Sequence, residues 1–247
     1  MRLAERIATP DGKRRTVRSI FATIADRYDF ITAFLSYGQD RRWKHRVADL
    51  SGAHAGVRAL DLATGTGDIA FALADRGADV VGLDITLRMI EIARLKGTRD
   101  VARGGRVAPG FQPSVGFIVA DMLALPFPSA SFDVVTTGYG LRNVPNLPMA
   151  IDEIRRVLRR GGRFVSLDFN RPSNAIVRAM YLAYLTAVGS ALGWTLHRDP
   201  DTYRYIPASI RQYPGAPAVA RLLEQRGFAR ARYDRVLGGL MAIHIAD

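Results

Sequence analysis

Short apolar runs alternate with segments of helical period through the middle of the chain. Ala59 to Ala63, Asp79 to Leu83, Val115 to Ala120, Phe132 to Thr137 and Arg163 to Asp168 have strand length. Helical patterns follow near 68–76, 86–96 and 147–158, and strands alternating with crossover helices predict a doubly wound α/β sheet. Upstream, Val17, Ile20, Phe21, Ile24 and Ala25 fall on one helical face, and a second, basic helix is expected around Arg41 to Leu50. Together these predict an N-terminal helical cap over residues 1–55. Downstream, Pro172 to Pro217 is rich in tyrosine, arginine and proline and reads as a helical lid insert (172–217) rather than another repeat. A helix at Ala218 to Arg226 then precedes strands Ala229 to Arg235 and Leu240 to Ala246, joined at Gly238-Gly239 as an antiparallel hairpin. The expectation is a seven-stranded, mostly parallel sheet with an antiparallel last strand, in one domain spanning 1–247. Gly104 to Pro113 reads as a surface loop.

Within the lid, Ala179 to Leu196 carries no formal charge, at the lower length limit for a membrane span. Tyr181, Tyr184, Thr186, Gly189, Ser190 and Gly193 dilute its hydrophobicity, and sheet strands follow it, so a buried helix is expected. The charged start, Met1 to Arg18, lacks the apolar stretch of a secretory signal. The expected location is cytoplasmic.

Composition narrows the chemistry. With no cysteine, a disulfide framework, a thiolate metal site and a cysteine nucleophile are excluded, and no metal site is expected. The formal charge of +12 concentrates anions, yet the excess is nearly all arginine spread along the chain. No recognition motif accompanies it, so nucleic acid is not read as a partner. A peripheral contact with the inner membrane surface fits better.

Candidate chemistry begins at Asp61-Leu62-Ala63-Thr64-Gly65-Thr66-Gly67-Asp68, an apolar strand that ends in a glycine turn and opens into a helix. The letters Gly65-x-Gly67-x-x-Ala70 satisfy the dinucleotide fingerprint, a weak signal by itself. Asp84 closes the second strand, with Ile85 beside it, where a carboxylate can accept two hydrogen bonds from ribose hydroxyls. That role suits NAD and S-adenosylmethionine equally. Asp121-Met122 after the third strand separates them, since an acidic side chain there can meet an adenine amino group while its neighbour packs on the ring. Leu125-Pro126-Phe127, Ser131-Phe132-Asp133-Val134-Val135 and Leu158-Arg159-Arg160-Gly161-Gly162-Arg163 complete the set. Each aspartate could equally cap a strand end or helix start; in register, the blocks resemble the class I, Rossmann-like methyltransferases. Asp61 is expected to organise the glycine loop and Asp133 to be structural.

The flanks carry a narrower resemblance. Phe21-Ala22-x-Ile24-Ala25-x-x-Tyr28-Asp29, Leu35-Ser36-Tyr37-Gly38, Arg42-Trp43-Lys44, Gly140-Leu141-Arg142-Asn143-Val144 and Asp201-x-Tyr203-Arg204-Tyr205-Ile206-x-x-Ser209-Ile210-Arg211 resemble the quinone-biosynthesis C-methyltransferase family that acts on menaquinone and ubiquinone precursors. The resemblance implies that S-adenosylmethionine methylates a ring carbon of a polyprenylated hydroquinone, with demethylmenaquinol the first expectation. Carried over position by position, cofactor contacts would be Gly65, Thr66, Gly67, Asp84, Asp121, Met122 and Gly138, to which Asp61 and Ile85 are added. Thr32 departs from an asparagine in the family pattern, Asp40 from a histidine, Asp168 from a glutamate, Asn170 from a serine, and Gly138 from a frequent serine. These changes leave room for another phenolic or polyketide substrate. From another class, a non-enzymatic nucleotide-binding module or a dehydrogenase stays open.

A sulfonium methyl donor needs neither metal nor covalent nucleophile, only alignment with the attacking carbon. Arg142 is expected to stabilise a developing phenolate and Asn143 to orient the ring hydroxyl, just past the fourth strand, where open α/β sheets place ligands. Tyr203, Arg204 and Arg211 would close the pocket, or the arginines would pair with Asp199 or Asp201. The proton acceptor stays open between His197, Asp201 and water. Met180, Tyr181, Tyr184, Leu185, Val188 and Leu192 would line an apolar path for a prenyl tail, or serve as core.

Overall fold

The computed structural model describes residues 3–102 and 115–247, so the loop expected at Gly104 to Pro113 lies outside the described residues. The N-terminal region forms helices α1 (Leu3–Arg6), α2 (Pro10–Ile24), α3 (Tyr28–Leu35) and α4 (Asp40–Ser51). The strand-helix alternation follows as β1 (Arg58–Leu62), α5 (Asp68–Ala74), β2 (Asp79–Asp84), α6 (Leu87–Ala102), β3 (Val115–Val119), β4 (Phe132–Gly138), α7 (Leu147–Val157) and β5 (Leu158–Phe169). The insert contributes α8 (Ala175–His197) and α9 (Asp201–Gln212), and α10 (Ala216–Gln225), β6 (Ala231–Val236) and β7 (Met241–Ala246) close the chain.

The seven strands form one sheet in the order β3-β2-β1-β4-β5-β7-β6, with β7 antiparallel to both neighbours. The expected hairpin is present, and its Gly238-Gly239 turn is a short 3-10 segment. Strand five begins earlier than expected. Leu158 pairs with Phe132 before the register shifts and Arg163 pairs with Val134; Gly161, at φ +77°, lets the intervening chain bulge out of the ladder.

Alternation along the strands explains the three layers. Ala59 packs with Trp43, Val47, Ile69 and Leu73 from α4 and α5 on one face. Leu60 and Leu62 pack with Ile151 and Ile154 of α7 and Val219 and Leu223 of α10 on the other. Truncating a fully buried leucine such as Leu60 should cost about 2–5 kcal/mol, because the lost methyl groups leave a cavity that neighbours only partly fill.

The insert departs from expectation in one respect. The uncharged stretch of α8, expected to be buried, is largely exposed: Met180 and Trp194 show 69% and 56% of their surface. The reason is layering. α9 and the sheet edge cover α8 along Tyr181, Leu182 and Leu185, Leu192 and Leu196 nearer its end pack beside Ile24 and Met89, and Gly189 lets α9 approach so closely that a Cβ there would sit 3.2 Å from Tyr203 Cβ. Among the described residues nothing covers the face of α8 that carries Ile176 and Met180, and α8 is the one described helix long and apolar enough, by length and composition, to cross a membrane.

Candidate active site

Polar groups collect at the carboxyl ends of β1, β2, β3 and β4, where the winding reverses between β1 and β4 and leaves a crevice. After β1, Gly67 has φ +90°, and a Cβ there would lie 2.8 Å from Phe71, so the turn into α5 demands glycine. Beneath it, Asp61 accepts hydrogen bonds from Thr64 Oγ1 at 2.6 Å and Thr136 Oγ1 at 2.7 Å. Burial pushes its carboxyl up to about 7 despite these bonds. Asp84 accepts from the Gly65 N–H at 3.0 Å and the Thr86 N–H at 2.8 Å, fixing the glycine turn against β2, and burial raises its pKa too.

A narrow cavity runs along this edge, lined by Gly65, Asp84, Ile85, Asp121, Met122 and Gly138, together with Asn143. Thr86 Oγ1 and Asn143 Oδ1, both from residues lining it, are buried without partners. Spare carboxylate lone pairs, these two unpartnered atoms and an apolar wall suit a nucleoside's hydroxyls and base. The enclosed space is about 80 Å³, below the roughly 300 Å³ of ordinary ligand sites. Arg14 and Phe21 of α2 lie across it, and Arg14 Nη2 pairs with Asp121 at 2.6 Å. As it stands, the crevice is too narrow for a whole nucleoside, with Arg14 occupying its side.

Past β4, the chain makes a 3-10 turn, Leu141–Asn143. Arg142 Nη1 donates to the Tyr139 carbonyl at 2.8 Å and to Asp168 Oδ1 at 2.7 Å, and its N–H donates to Asp168 Oδ2. Asn143 Nδ2 donates to the same Tyr139 carbonyl at 2.7 Å. The guanidinium lies 4.7 Å from the Phe169 ring and keeps Nε unpartnered. Lys13 of α2 donates to the Arg142 carbonyl, and burial together with the Arg142 charge lowers its pKa to about 8.

Arg142 also lines a second, larger cavity of about 420 Å³ between α2, α3, α8 and α9. Phe21, Tyr28 and Tyr139 line both cavities and so stand where they meet. Among the described residues no carboxylate or imidazole lines the large cavity. Its inner end holds Arg142 Nε and Tyr205 Oη, buried and unpartnered. At its mouth, the hydroxyls of Tyr37 and Tyr184 meet at 2.5 Å.

The structure thus brings Arg142 and Tyr203 to the large cavity, and Gly65, Asp84, Ile85, Asp121, Met122, Gly138 and Asn143 to the narrow one. Asp61 and Thr66 lie behind the glycine turn, where Thr66 donates to Asp29 at 2.6 Å. Gly67 shapes the turn without lining either cavity. Arg204 does not join the cavity expected for it: its side chain is 46% exposed, donating to Asp201 and Ser190 on the outside of the insert. That is a surface ion pair, because position 204 falls on the face of α9 turned from the cavity while Tyr203 and Tyr205 are buried. His197 pairs with the Tyr203 hydroxyl at 2.9 Å outside the lining. Of the apolar path, Met180, Tyr181, Tyr184 and Leu185 line the cavity, while Leu192 packs beside Ile24 and Met89. Unforeseen members are Arg14, Tyr28, Tyr139 and the Tyr205 hydroxyl; Tyr28 and Tyr205 stand inside quoted motifs, but nothing in the sequence separates their faces.

A family model described as the ubiE/COQ5 methyltransferase family matches residues 9–247. A demethylmenaquinone methyltransferase from Thermus thermophilus is 40% identical over 92% of this chain and 99% of its own length. A ubiquinone/menaquinone biosynthesis C-methyltransferase UbiE from Azotobacter vinelandii is 37% identical, covering 94% of this chain and 89% of its own. Among solved structures, a SAM-dependent methyltransferase from Thermotoga maritima, a possible histamine N-methyltransferase, superposes with a TM-score of 0.64 at 16% identity, over 93% of this chain and 98% of its own. A similar match to a methyltransferase from Methanococcus maripaludis, with a TM-score of 0.59 at 20% identity over 92% of each chain, supports the same fold. With the sheet order and the crevice residues, these similarities place the chain in the ubiE/COQ5 methyltransferase family, as an S-adenosylmethionine-dependent methyltransferase.

Proposed function

We propose that the enzyme methylates a ring carbon of a polyprenylated hydroquinone, with demethylmenaquinol converted to menaquinol. The observation that carries this reading is the join between the two cavities. The narrow polar crevice meets a large apolar cavity at Phe21, Tyr28 and Tyr139, so a methyl donor held in one faces an aromatic acceptor held in the other. When bound, S-adenosylmethionine supplies an electrophilic methyl group on its sulfonium. Asp84 would hold the ribose, Asp121 the base amino group once Arg14 swings away, and Met122 the face of the ring, with Ile85, Gly65 and Gly138 as close backbone walls. Arg142 Nε, Asn143 and the lid tyrosine Tyr203 would position the quinol.

A lipophilic tail would leave past Tyr37 and Tyr184, whose hydroxyl contact across the mouth must part to let it through. On α3 and α8, which both contribute to the cavity lining, Phe30, Phe34, Ile176 and Met180 are exposed, more apolar surface than isolated residues require. This supports a cytoplasmic enzyme that rests peripherally on the inner membrane surface, its net charge of +12 favouring anionic lipid. Purified protein incubated with S-adenosylmethionine and a panel of demethylated hydroquinones, followed by mass spectrometry, should give a product 14 mass units heavier from prenylated naphthoquinols. Turnover confined to unprenylated phenols or polyketides would overturn the substrate assignment.

A further inference from the structure

The reaction as proposed requires that a substrate hydroxyl lose its proton, yet no carboxylate or imidazole among the described residues lines the large cavity. Two of its tyrosines touch a base behind the wall. Tyr203 meets His197 Nε2 at 2.9 Å, and Tyr139 donates to Asp40 Oδ1 at 2.6 Å. Only the second of these lines both cavities and so stands beside the point of methyl transfer.

Tyr139 is also held against its own preference. Its φ is +61°, a left-handed conformation that costs a bulky residue energy and persists where the surroundings over-determine it. Here Arg142 and Asn143 both donate to its carbonyl, Leu167 accepts from its N–H, and Asp40 accepts from its hydroxyl. Every polar atom of the residue is thereby aimed.

We propose that Tyr139 and Asp40 form a proton relay: Tyr139 takes the proton of the substrate hydroxyl as its own moves to Asp40 Oδ1. The ring carbon beside the resulting phenolate attacks the methyl carbon. A carbon–carbon bond forms as the methyl–sulfur bond breaks, its electron pair staying on sulfur. The dienone so formed tautomerises to the methylated hydroquinone, its ring hydrogen becoming the hydroxyl proton, and the proton held by Asp40 returns to solvent.

The surroundings of Asp40 suit this role. Lys44 lies 2.5 Å from Asp40 Oδ2 and 2.8 Å from Asp68 Oδ2, so it leaves Oδ1 to the tyrosine. Tyr28 from α3, Arg142 from the turn after β4 and Asp68 from α5 complete the charged and titratable groups around the pair. Burial, and after it Asp40, raises Tyr139 well above the ordinary phenol range. It therefore passes a proton while remaining neutral. Tyr139 is the catalytic residue, and Asp40 acts through it.

The relay rests on the methyl-transfer reading, and the test separates the two. Tyr139→Phe and Asp40→Asn should each lower kcat about 100-fold or more, the ordinary scale of general-base catalysis, with KM and calorimetric S-adenosylmethionine affinity within about threefold of wild type. Asp40→His keeps a proton acceptor but gives up the charge opposite Lys44, and should restore kcat to within about tenfold. His197→Gln should stay within about threefold. Independently of turnover, a nitronaphthol bound below its free pKa should show its ionised absorbance band with wild type and lose it with Tyr139→Phe. Wild-type kcat in Tyr139→Phe, a band that persists there, failure of Asp40→His to rescue, or loss on His197→Gln would overturn the relay. A wild-type protein that methylates no hydroquinone would overturn the proposed function, while the absorbance band would still decide the relay.

Discussion

The nucleoside crevice and the large cavity share a wall but are built by opposite means. Around the crevice, carboxylates sit at strand ends and fix nearby backbone: Asp84 holds Gly65 and Thr86, and Asp121 holds the Leu123 N–H. Around the cavity, the walls are mostly aromatic and aliphatic side chains from helices far apart in sequence. A ligand part with fixed hydroxyls is matched by a prearranged backbone. A tail without polar groups needs only an apolar path, so that half can lie open at the surface.

The largest effect should come from removing the arrangement on the crevice side. Asp84→Ala deletes the acceptor for two buried N–H groups and the proposed ribose contacts. Charge-assisted hydrogen bonds are each worth about 1.5–3 kcal/mol. S-adenosylmethionine affinity, read by calorimetry, should therefore fall roughly 100- to 10,000-fold. Asp121→Ala should cost nearer tenfold, since its carboxylate is already drawn toward Arg14 and its loss also frees Arg14 to leave the crevice. Affinity within threefold of wild type in Asp84→Ala would erase the contrast between the two halves.

On the cavity side, the sharpest change alters a surface rather than a bond. Phe34 and Ile176 are exposed on α3 and α8 and line neither cavity. The pair Phe34→Glu and Ile176→Glu should weaken binding to anionic vesicles about tenfold, measured by co-sedimentation. Folding stability should stay within about 0.5 kcal/mol, as for surface changes generally, and turnover of a short-tailed, water-soluble quinol within about twofold. Unchanged vesicle binding would remove the membrane contact.

The same contrast governs what could be read from the chain beforehand. The strand positions, the closing hairpin and the crevice residues were legible because each rests on a local signal: an apolar run, a glycine turn, an aspartate where a strand stops. Seven of the residues expected at the site line the crevice for that reason. The cavity side was legible only in outline. Tyr139 meets Asp40 across 99 residues, and Arg14 reaches Asp121 through packing of α2; no spacing encodes either contact. Periodicity also misled at α8, because an apolar stripe shows which residues avoid water but not whether protein or lipid covers them. Arg204 was misplaced for a related reason, since three consecutive residues of one motif occupy opposite faces of α9.

A smaller effect tests whether the sheet and the insert also respond differently to acid. His244 of β7 is buried in the sheet, with Nε2 3.0 Å from the Ala216 carbonyl; burial lowers its pKa, although the Ala216 bond and Asp168 oppose this. His197 of α8 is lowered by burial and then by Arg27, against Asp199, but lies at the surface of the insert. A histidine whose folded pKa is depressed contributes nothing above its unfolded value of about 6.5. As pH falls below that value the unfolded chain takes up the proton first, and stability is lost until the folded pKa is reached. One such group can tilt the stability curve by at most about 1.4 kcal/mol per pH unit. Urea unfolding between pH 7.5 and 5 should therefore show a shallower acid decline in His244→Asn than in wild type, whatever the variant's absolute stability. His197→Gln should move the slope by a smaller amount, because water screens and solvates an imidazole at the surface. Equal slopes in wild type and His244→Asn would mean that the sheet tolerates the charged ring.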